Sequence, residues 1–203
     1  MIHAHCPRPP LTPGCVTLIQ AIDRYLSRAR RLDPRDGVTV LEIQIIAYFL
    51  QVLGQQLRLE FSRGRYGPYA NSLNDVLERL EGHYLTGFSD RSARIEEPQP
   101  IELTPGAADA ATAWSEAHRA AATEALDQLA LLANGFETPY SLELLATVHY
   151  AAVSHPANAD LDELTELVRS WTGRKAWLFT PAHIKLAHER LQSVGLLPDL
   201  RTA

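Results

Sequence analysis

The chain has 203 residues, 46% of them apolar and 21% charged, with a formal net charge of −5 at neutral pH. That is enough length to bury a core, as one large domain or two small ones, and the mixture is ordinary for a soluble globular protein. No run approaches the length of uninterrupted apolar residues that a membrane-spanning helix requires. Cys6 and Cys15 both lie near the N-terminus, which fits a reducing cytoplasm and excludes a disulfide framework. Charge is unevenly placed. Residues 1–65 carry nine Arg against five Asp and Glu, whereas residues 75–166 carry seventeen acids against four bases, a balance of −13. Such a segment repels free nucleic acid and attracts a basic partner, or simply keeps a small protein soluble.

In chain order, residues 1–14 are proline-rich without an apolar stretch and read as a flexible arm, not a signal peptide. Residues 16–31 place Leu18, Ile22, Tyr25, Leu26 and Ala29 on one face, which predicts a helix. Residues 40–53 are apolar almost all round, the pattern of a central core helix, stopped by Gly54. Residues 57–61 alternate strictly and predict a short half-buried strand. A turn through Tyr66-Gly67-Pro68-Tyr69 leads into a helix over 73–81, with Gly82 past its end. Segments 83–88 and 101–104 look like two strands joined by a polar loop. This layout is compatible with a winged helix-turn-helix. From Thr104-Pro105 onward every segment is helical: 107–132, with a break near 115–119; Thr138 to Val153; a helix opened by Asp160 with Glu163; and a last one opened by Thr180-Pro181. The fold class expected is therefore mainly α with a small antiparallel β-sheet. A single domain covers residues 15–203, with a winged-helix-like part (15–104) followed by a helical part (105–203).

Motifs for chemistry are sparse. His3, His5 and Cys6 sit on an unoriented end, and zinc needs four ligands in a fixed geometry, so no metal is expected. No nucleophile elbow and no phosphate-cradling Gly-rich loop occurs, so no cofactor and no catalysis are expected. Arg58, Arg63, Arg65, Tyr66 and Tyr69 form a cluster of the residue types enriched at binding hot spots, unless the tyrosines merely pack over the central helix. His149, on a largely apolar helix, reads as a hydrogen-bonded core residue.

Taken together, Glu42-Ile43-Gln44, Ala47 to Gln51, Leu57-Arg58-Leu59, Arg65 to Ala70, Leu80 to His83, Pro105-Gly106-Ala107 and Gly135 to Tyr140 resemble the C-terminal domain of DarG antitoxins over roughly residues 37–195. The Tyr-Gly-Pro turn alone also occurs in SocA-like (Panacea) antitoxins. The resemblance implies a cytoplasmic, non-enzymatic module that binds and blocks DarT, a toxin that ADP-ribosylates single-stranded DNA. The macrodomain that removes ADP-ribose in that family is not in this sequence and would sit in the same or a separate chain, so no glycohydrolase activity is expected here. An acidic surface would mimic DNA in the toxin's groove. The expected toxin-contacting residues are Glu96, Glu97, Asp160, Asp162, Glu163 and Glu166, then Arg65, Tyr66 and Tyr69, with no direct nucleic acid or membrane partner. Ile45 departs from the family pattern, where a lysine is expected. The alternative is a winged-helix DNA-binding regulator of a toxin–antitoxin operon. The acids Asp75, Glu78 and Glu81 against Arg79 alone on the would-be recognition helix count against it.

Overall fold

A computed structural model describes residues 8–88, 100–118, 122–155 and 160–198. Helix α1 (Pro13–Ala29) starts earlier than its apolar stripe suggests, because Thr12 accepts the Cys15 N–H and Pro13 fills the first turn. Of the expected arm, Arg8 lies over the Tyr84 ring and the Tyr84 hydroxyl donates to the Pro9 carbonyl, so the residues just before the helix are packed. Helix α2 (Val40–Val52) opens on a reciprocal cap between Thr39 and Glu42. Ile43, Ile45, Ile46, Phe49 and Leu50 are all buried to within 1%, making α2 the central helix.

The strand expected over 57–61 is absent. Arg58 has φ +55°, a left-handed backbone incompatible with a strand. Both polar groups of Leu59 are instead met by the Gln51 side chain, which donates to the Leu59 carbonyl at 2.8 Å and accepts its N–H at 2.9 Å. Pairing begins just afterwards, where β1 (Ser62–Gly64) and β2 (Gly67–Tyr69) run antiparallel with Gly64 opposite Gly67. The turn therefore consists of Arg65 and Tyr66, and Gly67-Pro68-Tyr69 is strand. Helix α3 (Asn71–Leu80) follows, burying Leu73, Leu77 and Leu80. A second antiparallel pair joins β3 (Leu85–Thr86) to β4 (Glu102–Leu103).

The long alanine-rich segment is two helices, α4 (Ala107–His118) and α5 (Thr123–Ala133), divided where the stripe weakens. Thr138 caps α6 (Pro139–Ser154), and Asp160 caps α7 (Leu161–Arg169) by accepting the Glu163 N–H at 2.8 Å. A six-residue helix that the periodicity does not suggest, α8 (Gly173–Leu178), is capped by Thr172. Thr180 caps α9 (Pro181–Ser193). The fold is mainly α with small antiparallel β pairs. Helix α1 packs on α4, α5 and α2; α2 packs on α6 and β2; α6 packs on β2, α7 and α9; the buried apolar residues form one cluster across both parts of the chain. Among the described residues no helix is long and apolar enough to cross a membrane.

Gln44 links α2 to the start of α3. Its buried amide donates to the Ala70 carbonyl at 3.1 Å and accepts the Ala70 N–H at 3.0 Å. Gln44→Ala leaves two buried backbone groups unpaired, at about 1–3 kcal/mol each. Urea titration of this variant is expected to show a loss of about 2–4 kcal/mol; an unchanged midpoint would show that water replaces the amide.

Candidate functional site

The β1–β2 hairpin is fastened to residues more than a hundred positions later. The Trp171 indole N–H donates to the Gly64 carbonyl at 2.8 Å. The Arg63 guanidinium lies 4.6 Å from the Trp171 ring centroid and donates to the Ser170 carbonyl at 3.4 Å. Gly67 sits on α6: a Cβ there would lie 3.6 Å from the Thr147 hydroxyl, and its φ of +137° requires glycine. A Gly67→Ala substitution is expected to lower stability by about 1–2 kcal/mol through that backbone angle alone, measurable as a shift of the thermal midpoint; no shift would mean the hairpin turn relaxes.

Below the hairpin lies a buried charge cluster. Glu143 of α6 accepts from Lys175 Nζ and from Arg174 Nη1, each at 2.6 Å. Lys175 also donates to the Thr147 hydroxyl at 3.0 Å, and its ammonium lies 4.8 Å from the Phe179 ring centroid. The Lys175 and Glu143 side chains are 0% and 1% exposed. Burial pushes the Lys175 pKa below its ordinary value, against the opposing pull of Glu143. Arg174 is held by Glu143 and reaches the surface, with its guanidinium 5.1 Å from the Tyr66 ring centroid; Arg65 lies 5.3 Å from the same ring. Two basic side chains, Arg174 and Lys175, thus meet one carboxylate, with Arg63 over the Trp171 ring and Arg65 over the Tyr66 ring nearby, on a chain whose overall charge is −5. Beside them a groove of about 430 Å³ runs between Val40, Leu41 and Gln44 of α2 and residues 64–69 of the hairpin.

Of the residues chosen from the sequence, Arg65, Tyr66 and Tyr69 come together here, all exposed; the Tyr69 hydroxyl accepts from Asn74 Nδ2 at 2.7 Å. Asp160, Asp162, Glu163 and Glu166 are exposed, the first three at the start of α7 and Glu166 midway along it, with Asp160 used as its cap. Trp171, just past the other end of that helix, is the residue that meets the hairpin. Glu96 and Glu97 lie outside the described residues. Several acids of the −13 segment point inward or bind locally: Glu143 is buried in the cluster, Glu137 is buried and accepts from Arg28 and the Gly135 N–H, and Asp127 pairs with Arg24. The summed charge is therefore not one surface. Glu143, Arg174, Lys175 and Trp171 were not singled out from the sequence; the one available signal was a carboxylate early in an otherwise apolar helix.

Two further buried clusters tie helices together. Glu42 accepts from the Tyr25 hydroxyl, Arg35 Nη1 and the Thr39 N–H, each at 2.7 Å. Tyr48 and His149 Nδ1 lie 2.7 Å apart, joining α2 to α6. Among the described residues no group of three His, Cys, Asp or Glu is placed to hold a metal. The structure buries Ile45 completely, in the α2 core.

No family model matches the chain. Curated relatives do. A DNA ADP-ribosyl glycohydrolase of Thermus aquaticus is 40% identical over 190 residues, covering 94% of this chain and 49% of the relative. DNA ADP-ribosyl glycohydrolases of Mycobacterium tuberculosis and Mycobacterium bovis are each 34% identical over 186 residues, covering 89% of this chain and 53% of theirs. The chain spans about half the length of the curated relatives it matches. These relatives correct the expectation of a DarG-type antitoxin module that inhibits DarT without enzymatic or glycohydrolase activity: each is named for an enzyme, and none for an antitoxin.

Proposed function

We propose that the chain is one half of a DNA ADP-ribosyl glycohydrolase and takes part in releasing ADP-ribose from DNA. The observation that carries this is the 40% identity to the Thermus aquaticus relative over 94% of the chain. The hairpin face supports it. Arginines beside exposed aromatic rings suit phosphates and bases together, because guanidinium pairs with phosphate oxygens while an aromatic ring accepts any base face. In this role Arg63, Arg65 and Arg174 bind and orient the substrate, and Glu143 and Lys175 hold Arg174 and the hairpin in place. This departs from the expectation of no nucleic-acid partner. We assign the protein to the cytoplasm, on its DNA substrate and on the free thiol of Cys15.

The test exchanges the matched half of the Thermus aquaticus relative for this chain and follows free ADP-ribose released from an ADP-ribosylated oligonucleotide by chromatography, with the chain alone in parallel. Release by either form above the rate of the relative with its matched half deleted is expected. Rates no higher than that deletion in both forms would refute the proposal.

A further inference from the structure

We infer that the cleft between α1, α4 and the start of α5 is a binding site for a linear aliphatic polyamine. The occupant follows from the cleft alone and is independent of the glycohydrolase proposal. The cleft holds about 500 Å³, within the roughly 300–1,000 Å³ of pockets that enclose small organic ligands. Helical spacing builds it. Gln20 and Asp23 are one turn apart on α1, and Thr112, Ser115 and Glu116 share a face of α4. Asp23 and Glu116 both line the cleft, and among the described residues neither carboxylate has a hydrogen bond or an ion pair. The Ser115 hydroxyl lines the same cleft, is buried and has no hydrogen-bond partner. Three polar groups from two helices thus border one space without partners in the protein.

The walls select a cation. Among the described residues lining the cleft the one base is Arg24, and it is committed to Asp127 at 2.7 Å. The two free carboxylates therefore set the sign and repel an anion. Ser115 and Glu116 also lie in the last turn of α4, whose unpaired carbonyls carry partial negative charge. The start of α5 brings the opposite partial charge, which Glu124 in its own first turn offsets. A bare metal ion does not match the walls, because among the described residues no three His, Cys, Asp or Glu are placed to hold one. Nor does a quaternary or aromatic cation, because no aromatic ring lines the cleft to receive its charge. An aliphatic ammonium has three N–H donors and no acceptor, which matches carboxylates, the Gln20 amide oxygen and hydroxyls. Ala108, Ala122 and Leu126 supply apolar surface for the methylenes between two such groups. A monoamine would leave one carboxylate unanswered. A polyamine answers both.

Calorimetric titration of the purified chain uses spermidine as the probe, with n-butylamine, magnesium chloride and a trilysine peptide as the other arms. Spermidine is expected to bind with a Kd below about 1 mM, and n-butylamine, with its single charge, at least about tenfold more weakly. Asp23→Asn and Glu116→Gln are each expected to weaken spermidine binding about tenfold, and Ser115→Ala about fivefold without any change of charge. The thermal midpoints of the two carboxylate variants should not fall, since neither side chain has a partner to lose. Asp75→Asn, at an exposed acid on α3 outside the cleft, should bind as wild type does. Five results would each overturn the site: no heat with spermidine at millimolar concentration, n-butylamine or magnesium binding as tightly as spermidine, the peptide binding more tightly and displacing it, all three cleft variants binding as wild type does, or Asp75→Asn weakening binding as much as they do. The second and the last would reveal a diffuse acidic surface, and the third a basic protein partner.

Discussion

Glu143→Ala is expected to remove about 3–5 kcal/mol of stability, the usual consequence of stripping the partner from a buried charge. The two cations on Glu143 do not share that loss equally. The Arg174 side chain is 38% exposed and can turn to water, whereas the Lys175 side chain is 0% exposed and has only the Thr147 hydroxyl left as a polar partner. The sign of the pH dependence follows. Burial already lowers the Lys175 pKa, and removing the carboxylate takes away the groups' mutual attraction that opposed it. Between the lowered folded value and the ordinary 10.5 the unfolded chain binds more protons, so stability rises with pH across that window. The deficit of Glu143→Ala should therefore be larger at pH 7 than at pH 9 in urea titrations. A paired replacement, Glu143→Leu with Lys175→Met, should recover most of it, because exchanging a whole buried pair for apolar groups is often near neutral. A single-variant loss below about 1 kcal/mol, or a deficit that grows with pH, would mean that water reaches Lys175.

Most of the helices were legible because their starts are written locally. Thr138-Pro139, Asp160 with Glu163 and Thr180-Pro181 each cap within three residues, and the stripes that follow need no knowledge of the rest of the chain. Segment 57–61 failed for the converse reason. Alternation says that a strand would suit the residues, but a strand needs a partner, and Gln51 took the bonds a partner would have made. At the candidate site, Arg65, Tyr66 and Tyr69 were visible as residue types around a Gly-Pro step. What makes them a site was not: Trp171 meets Gly64 and Arg174 meets Tyr66 only through the packing of α6, α7 and α8. The acidic total misled because a sum over sequence carries no direction. Glu137 and Glu143 face inward, and their charge is answered by Arg28, Arg174 and Lys175 inside the fold.

Acidification from pH 6.5 to 4 is expected to remove about 3 kcal/mol through His149 alone. Burial holds its pKa at about 4, against 6.5 for a free histidine, while a backbone contact with Leu196 pulls weakly the other way. Tyr48 and His149 Nδ1 lie 2.7 Å apart, and burial also raises the Tyr48 pKa; with the ring neutral and its proton on Nε2, Nδ1 is free to accept from that hydroxyl. With the folded pKa depressed, the unfolded chain takes up the proton first as pH falls through 6.5. Stability is then lost progressively until the folded histidine titrates near 4, below which this contribution levels off. His188 is also buried with a lowered pKa and acts in the same direction, in wild type and variant alike. The comparison with His149→Gln therefore isolates the one ring, because an amide can still accept from Tyr48 without gaining a charge. Chemical denaturation at half-unit steps of pH should give a wild-type curve that falls more steeply than the variant's between 6.5 and 4, with the two running parallel above 7. If the two curves stay parallel throughout, His149 is charged or hydrated in the folded protein and the neutral Tyr48–His149 pair does not describe the junction of α2 and α6.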